Sequence, residues 1–398
     1  MSSIAEIAHW DAERRQDALK AFVESHIDGF LDTFLPLYLA PMQYAGLIET
    51  AIRKLVSYNV IGGKMIRGIL AADVFCQAIR HLYPGLLEDT EKNGMICEVA
   101  LLLCFIQEIL QASFLIVDDI LDDSAVRRGK PAWRRVVGDG QTINDTLHLL
   151  TIVDTMMLYL EERCGKTLKL LDVLTKVKAC TLQGQHLDAF PNQKEDIFTR
   201  EYLKEVYTYK TAYYTFYGPI LMGYRAAVLL GSQLIFGGTT DGKALPRTPS
   251  ILELVQSLDP ALEEAIRSIS LELGQLFQMQ DDYLDLYHPE LLHKDSGDYR
   301  EHKATWVVVR ALELARNSGE TQEEANELLS EIRLAYGRKN SDKEAIKGLF
   351  EKVGLRDVYT SEATATYKRC VESMKALPEY ITDCLTNVLE HMKAHCTL

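Results

Sequence analysis

The chain predicts an all-α fold, a single large helical bundle around a central cavity, on three observations. Apolar residues recur at spacings of three and four along most of the length. No convincing run alternates apolar and polar residues with the period of two that a strand requires. An apolar helical stretch ending in a carboxylate cluster occurs twice, as QASFLIVDDILDD at 111–123 and as FQMQDDYLD at 277–285. With 398 residues, 47% hydrophobic and 25% charged, the chain can bury a sizeable core. Length allows one large domain or two, and 232–252, rich in Gly, Thr and Pro, reads as a loop.

Taken in order, residues 10–40 carry Phe22, Ile27, Phe30, Leu31 and Phe34 at helical spacing, closed by Pro36 and Pro41. Gly62 and Gly63 in the segment YNVIGGKMIRG then permit close backbone approach, and Lys64 and Arg67 fall three apart on the following turn. Two cations so placed suit one diphosphate. The segment is not a P-loop, because Met65 follows the lysine where Ser or Thr is needed. A helix runs to about Leu82 before Pro84 and Gly85, and 87–92 is an acidic surface loop.

From Met95 a central rod begins. Its most apolar part, 99–106, is flanked by Glu98, Gln107 and Glu108, is too short to span a bilayer and reads as buried core. Past the rod's aspartates lie Arg127 and Arg128, whose guanidinium forks bind phosphate oxygens in pairs. Helices follow over about 139–165 and through Gln185 and Asp188, which share a face. The next helix holds Lys210 and Thr211 among Tyr207, Tyr209, Tyr213, Tyr214, Phe216 and Tyr217; aromatic faces stabilise cations, although most of these rings belong to packing. The Gly-, Thr- and Pro-rich insertion reads as an inert surface loop, with a lid or partner surface as alternatives. Lys294, Asp298 and Lys303 are spaced along a polar stretch able to close over a bound diphosphate, and 305–398 alternates amphipathic helices with polar loops.

The chemistry rests on the two acidic segments. On a helix Asp118 and Asp122 stack on one face with Asp119 beside them, and Asp281 and Asp285 do the same with Asp282 beside them. Two carboxylates about 4 Å apart repel by roughly 4 kcal/mol at an effective dielectric near 20, so half-buried clusters call for a cation. Loosely arranged carboxylates suit Mg²⁺, which keeps several waters and takes few protein oxygens beside substrate phosphates. A calcium loop is excluded, because the sixth position counted from Asp118, where glycine is needed, is Asp123.

The net charge of −14 argues against general nucleic-acid binding, and an anionic substrate would need local lysines, arginines and metal ions. Eight cysteines form no CxxC pair, so reduced thiols and a cytoplasmic location are expected. The N-terminus, MSSIAEIAHWDAERRQ, has no apolar signal core.

Five segments in order, IGGKMIRG at 61–68, LQASFLIVDDILDDSAVRRG at 110–129, GQHLD at 184–188, YKTAYYTFYGPI at 209–220 and FQMQDDYLDLY at 277–287, carry a resemblance. Over roughly residues 15–392 the chain resembles the farnesyl diphosphate synthases of the eukaryotic trans-isoprenyl diphosphate synthase family. That resemblance implies a large helical domain pairing as a homodimer. It implies metal binding by Asp118, Asp119, Asp122, Asp281, Asp282 and Asp285, with three Mg²⁺ per site and Mn²⁺ or Co²⁺ as substitutes. Lys64, Arg67, Gln111 and Arg128 would hold isopentenyl diphosphate; Arg127, Lys210, Lys294 and Lys303 would face the allylic diphosphate. The implied catalytic set is Lys210, Thr211, Gln185 and Asp188, the last two on the cavity wall beside the cation; Gln278 would join the substrate-binding residues, with Ser113 and Phe114 on the floor, where the family carries two aromatic residues. A serine there predicts a non-standard product.

The implied activity is ionisation of dimethylallyl or geranyl diphosphate and head-to-tail condensation with isopentenyl diphosphate to farnesyl diphosphate or a related product. The alternatives are a terpene synthase acting on a prenyl diphosphate such as farnesyl diphosphate, and an inactive regulatory subunit. No membrane span and no nucleic-acid partner are expected. Two departures stand out: the insertion, and the ending HMKAHCTL in place of the family's basic tail, with only Lys393 near that position.

Overall fold

Helix α1, Ala12–Tyr38, starts where the Asp11 carboxylate accepts the Arg14 backbone N–H, satisfying a donor that the first turn leaves open. The computed structural model describes residues 4–189, 197–236, 250–292, 297–318 and 321–397. Next come α2, Ala45–Asn59, and α3, Ile66–Leu82, which is buried on nearly every side. Then follows α4, Thr90–Leu121, capped by the Asp89 side chain. Beyond a short hairpin the chain continues as α5, Asp139–Arg163, and α6, Lys169–Ala189. Helix α7, Arg200–Val206, passes through a π-helical segment, Tyr207–Tyr217, into α8, Gly218–Phe236. The second long rod is α9, Pro260–Tyr287, opened by Asp259 and by Pro260 at its first turn. The chain closes through α10, Trp306–Arg316, α11, Leu355–Ser373, and α12, Glu379–His395. This is an all-α architecture, as the periodicity requires.

A two-stranded hairpin, β1 Val126–Arg127 and β2 Lys130–Pro131, is the extended structure that the sequence did not reveal. Its turn runs through Arg128 and Gly129, both at positive φ. Strands of two residues carry no alternation to read. The central rod also starts earlier than Met95 and is long and apolar enough to cross a membrane, but 83% of its apolar window is buried inside the bundle.

The π-helical segment is gripped from two sides. A Cβ on Gly184 of α6 would lie 2.0 Å from the Lys210 backbone nitrogen, and one on Gly274 of α9 would lie 2.2 Å from the Ala212 Cβ. Only glycine allows backbones to meet this closely. Away from the cavity, Arg15 ties three helices: its guanidinium meets Asp73 of α3 at 2.6 Å and Asp383 of α12 at 2.7 Å, and donates to the Trp10 carbonyl. Arg15 and Asp73 are 1% and 0% exposed, so each charge depends on the other.

Candidate active site

The two rods bring their acidic ends to one cavity of about 1010 Å³. Asp118 and Asp122 line it from the end of α4, and Asp281, Asp282 and Asp285 from α9. Asp119, adjacent in sequence, is buried and turned toward Arg127, whose Nε and Nη2 reach its Oδ1 at 2.9 and 2.6 Å. Asp282 is likewise engaged, accepting from the Tyr207 hydroxyl, from Gln278 Nε2 at 3.0 Å and from the Trp306 backbone N–H at 2.7 Å. Burial, and then Asp298, pushes the Asp282 carboxyl well above the usual carboxylate range.

Ammonium groups stand among these carboxylates. Lys303 Nζ lies 2.8 Å from Asp122, 2.9 Å from Glu301, 3.5 Å from Asp298 and 4.0 Å from Asp188. Lys210 Nζ lies 2.5 Å from Asp188 and 3.5 Å from Asp118. Gln185 Nε2 donates to Asp118 at 2.8 Å. Burial works to raise Asp118, but Lys210, Lys303 and Arg127 outweigh it and hold this carboxyl well below the usual range. Asp122 is pushed up to about 7, first by burial and then by Asp118. Thr211 donates to Gln278 Oε1 at 2.6 Å, joining the π-helical segment to α9.

Hard oxygen donors brought by two helices to one cavity suit a divalent cation held with substrate phosphates, and the buried ammonium of Lys303 already occupies positive-charge space among them. The donor set therefore fits Mg²⁺. Among the described residues no three His, Cys, Asp or Glu side chains are gathered into a closed metal cage.

Cationic residues line the same cavity. Lys64, Arg67, Gln111 and Arg128 all line it. Arg67 donates to Thr215 at 2.7 Å and lies over the Tyr214 ring, yet its Nε has no hydrogen-bond partner. The buried Gln111 Oε1 is also unpartnered. Arg128 donates to the Asn59 carbonyl at 2.7 Å, and a Cβ on Gly63 would meet its guanidinium at 2.6 Å. Burial, opposed by Glu108 and reinforced by Arg67 and Arg127, lowers the Arg128 guanidinium from its ordinary value. A buried guanidinium with one open hydrogen-bonding position, on the same lining as Lys64 and Arg128, suits an anion.

Two expected residues lie elsewhere: Ser113 and Phe114 are not in the cavity lining. Ser113 is fully buried with its hydroxyl on the Leu110 carbonyl, and Phe114 packs edge-on against Tyr214, which does line it. Lys294 lies outside the described residues, as does most of the insertion.

The family profile described as polyprenyl synthetase matches residues 49–233 and 248–353. The chain belongs to the polyprenyl synthetase family. It is accordingly an enzyme of the isoprenyl diphosphate synthase class. It is 31% identical over 334 residues to farnesyl pyrophosphate synthase 1 of Parthenium argentatum, covering 82% of this chain and 84% of the relative. It is also 31% identical to the farnesyl pyrophosphate synthase of Rattus norvegicus, covering 80% of each. Among solved structures, a T. brucei farnesyl diphosphate synthase complexed with a bisphosphonate superposes with a TM-score of 0.70 over 96% of both chains at 23% identity, which establishes a shared fold.

Within this polyprenyl synthetase, several neighbours of the motif residues escaped the sequence reading. Glu108, one turn before Gln111, is buried on the cavity wall and accepts the Gly68 N–H at 2.8 Å; burial raises its carboxyl. A charged residue inside an apolar rod was the available signal. Tyr207 was seen only as one ring among many, and Trp306 contributes through its backbone, which no side-chain pattern reveals.

Proposed function

We propose that the protein is a Mg²⁺-dependent prenyltransferase that ionises dimethylallyl or geranyl diphosphate and joins it head-to-tail to isopentenyl diphosphate, yielding farnesyl diphosphate or a related product. One observation carries this reading: a single cavity is lined both by the carboxylates of two helices and by Lys64, Arg67, Arg127 and Arg128, with the buried Arg67 Nε and Gln111 Oε1 left unpartnered. Asp118, Asp122, Asp281 and Asp285 would hold the divalent ions, which supply Lewis-acid charge stabilisation to the leaving diphosphate.

The chain's own groups do the rest. Arg127, Lys210 and Lys303 neutralise charge as the allylic C–O bond breaks and its electron pair leaves with the diphosphate. Gln185 and Asp188 keep Asp118 and Lys210 in register. Lys64, Arg67, Gln111 and Arg128 orient isopentenyl diphosphate so that its terminal double bond forms the new C–C bond to the allylic carbon, after which the released diphosphate takes a proton from the adjacent carbon and a double bond is restored. Tyr214 and Phe277 on the lining provide aromatic surface toward the cation. We further assign cytoplasmic location, from cysteines that are all free, and a homodimer.

Incubation with Mg²⁺ and geranyl diphosphate, with and without isopentenyl diphosphate, followed by mass spectrometry, tests the reading. A five-carbon-longer diphosphate is the expected product. Hydrocarbon or alcohol formed from a prenyl diphosphate alone, without elongation, would establish the terpene synthase instead. Asp118→Ala and Asp281→Ala should each abolish turnover while circular dichroism keeps its helical signal; full activity in both would remove the metal assignment.

A further inference from the structure

The last turns of α12 carry two imidazoles, one of them in contact with Lys64 of the cavity lining, where no motif asked for them. His391 and His395 are one turn apart, with ring centroids separated by 4.2 Å. Lys64 Nζ, on the cavity wall, donates to His391 Nε2 at 3.4 Å. The helix end is fastened from behind. Gln280, beside Asp281 on α9, donates to the Met392 carbonyl at 2.7 Å, and the Tyr359 hydroxyl of α11 donates to the His395 carbonyl at 2.8 Å. The rings are thus anchored on the same rod that carries the second aspartate cluster.

The surroundings are one-sided in charge. Among the described residues the charged group acting on both rings is the Lys64 ammonium. On α12 itself Glu390 and Lys393 pair with each other at 3.6 Å; α9 contributes the neutral Gln280, and α11 the phenols of Tyr359 and Tyr367. Burial, and then Lys64, lowers His391, and burial with His391 and Lys64 takes His395 down to about 4. Without an anion the pair is neutral near pH 7. An incoming diphosphate reverses the balance, since a negative oxygen near Lys64 favours the protonated form of both rings.

We propose that His391 and His395 contact the second diphosphate, the one held by Lys64, Arg67, Gln111 and Arg128, and take up protons from solvent as it binds. This rests on the elongation reading. The linkage has a definite sign: groups whose protonation is favoured in the complex strengthen binding as pH falls from 7.5 toward 6.

The test is calorimetric titration of the full chain with isopentenyl diphosphate alone, in two buffers of different ionisation enthalpy at pH 6.5. Relative to the double variant His391→Gln, His395→Gln, the unaltered protein should take up on the order of one more proton per site and bind about tenfold more tightly, an advantage that widens on acidification. The affinity for geranyl diphosphate should be the same in both, and the variant should melt cooperatively. His391→Lys, with a permanent charge, should restore binding while lowering proton uptake. Equal affinity and equal proton uptake in the unaltered and doubly substituted proteins would overturn the proposal and leave the elongation reading standing. Failure of the unaltered protein to bind isopentenyl diphosphate at all would remove the elongation reading, and the proposal with it.

Discussion

Asp119 and Asp282 each hold the second place of an acidic pair, and each is engaged by a neighbour: Asp119 by the Arg127 guanidinium, Asp282 by Tyr207, Gln278 and the Trp306 amide. Their partners at the first place, Asp118 and Asp281, face the cavity. Asp119→Asn should therefore act through Arg127. A charge-assisted hydrogen bond is worth about 1.5–3 kcal/mol, so turnover should fall roughly 10- to 100-fold, with Asp118→Asn more severe. Steady-state kinetics on both variants checks the order. The pairs Asp118 with Asp122 and Asp281 with Asp285 were legible in the sequence because a spacing of four fixes a shared helix face, whereas Asp119, expected beside them, is turned to Arg127 and is not on the cavity lining. The division of labour between adjacent aspartates was not legible, because it depends on a hairpin of two-residue strands and on a distant backbone amide. Ser113 illustrates the same limit: its place before Asp118 was readable, but not that its hydroxyl turns back to the Leu110 carbonyl.

At the scale of the element, the π-helical segment Tyr207–Tyr217 presents Lys210 and Thr211 together, and Gly184 and Gly274 hold it from either side. Gly184→Ala should displace the Lys210 backbone and reduce kcat at least tenfold, with a smaller effect on KM for isopentenyl diphosphate, which we propose is held by Lys64, Arg67, Gln111 and Arg128. Progress curves at varied isopentenyl diphosphate separate the two constants. A helix was legible here from its apolar spacing; its π character was not, because the extra residue per turn is imposed by packing against α6 and α9. Element ends were read well where proline, glycine or an acidic cap marks them, as at 139–165. The rod's beginning at Thr90 was missed, although Asp89 supplies the cap.

Across the whole molecule, stability and association draw on residues far from the cavity. Arg15 joins α1, α3 and α12 through Asp73 and Asp383. Arg15→Met leaves the Asp73 charge buried without its partner and should cost about 3–5 kcal/mol, read from the midpoint of denaturant unfolding. Ile143 and Leu147 on α5, 55% and 59% exposed, project from a helix that packs on α1 and α2, and Leu47 of α2 is 72% exposed. For the homodimer we assign, this face is a natural seam, and Ile143→Glu with Leu147→Glu should yield a monomer by light scattering. Lys303 bears on how the resting protein is held together. Because its ammonium already serves as counter-ion to Asp122, Asp298 and Glu301, a divalent ion bound as proposed would enter a site whose negative charge is already partly balanced. Chelators should accordingly silence the enzyme while leaving its melting temperature nearly unchanged.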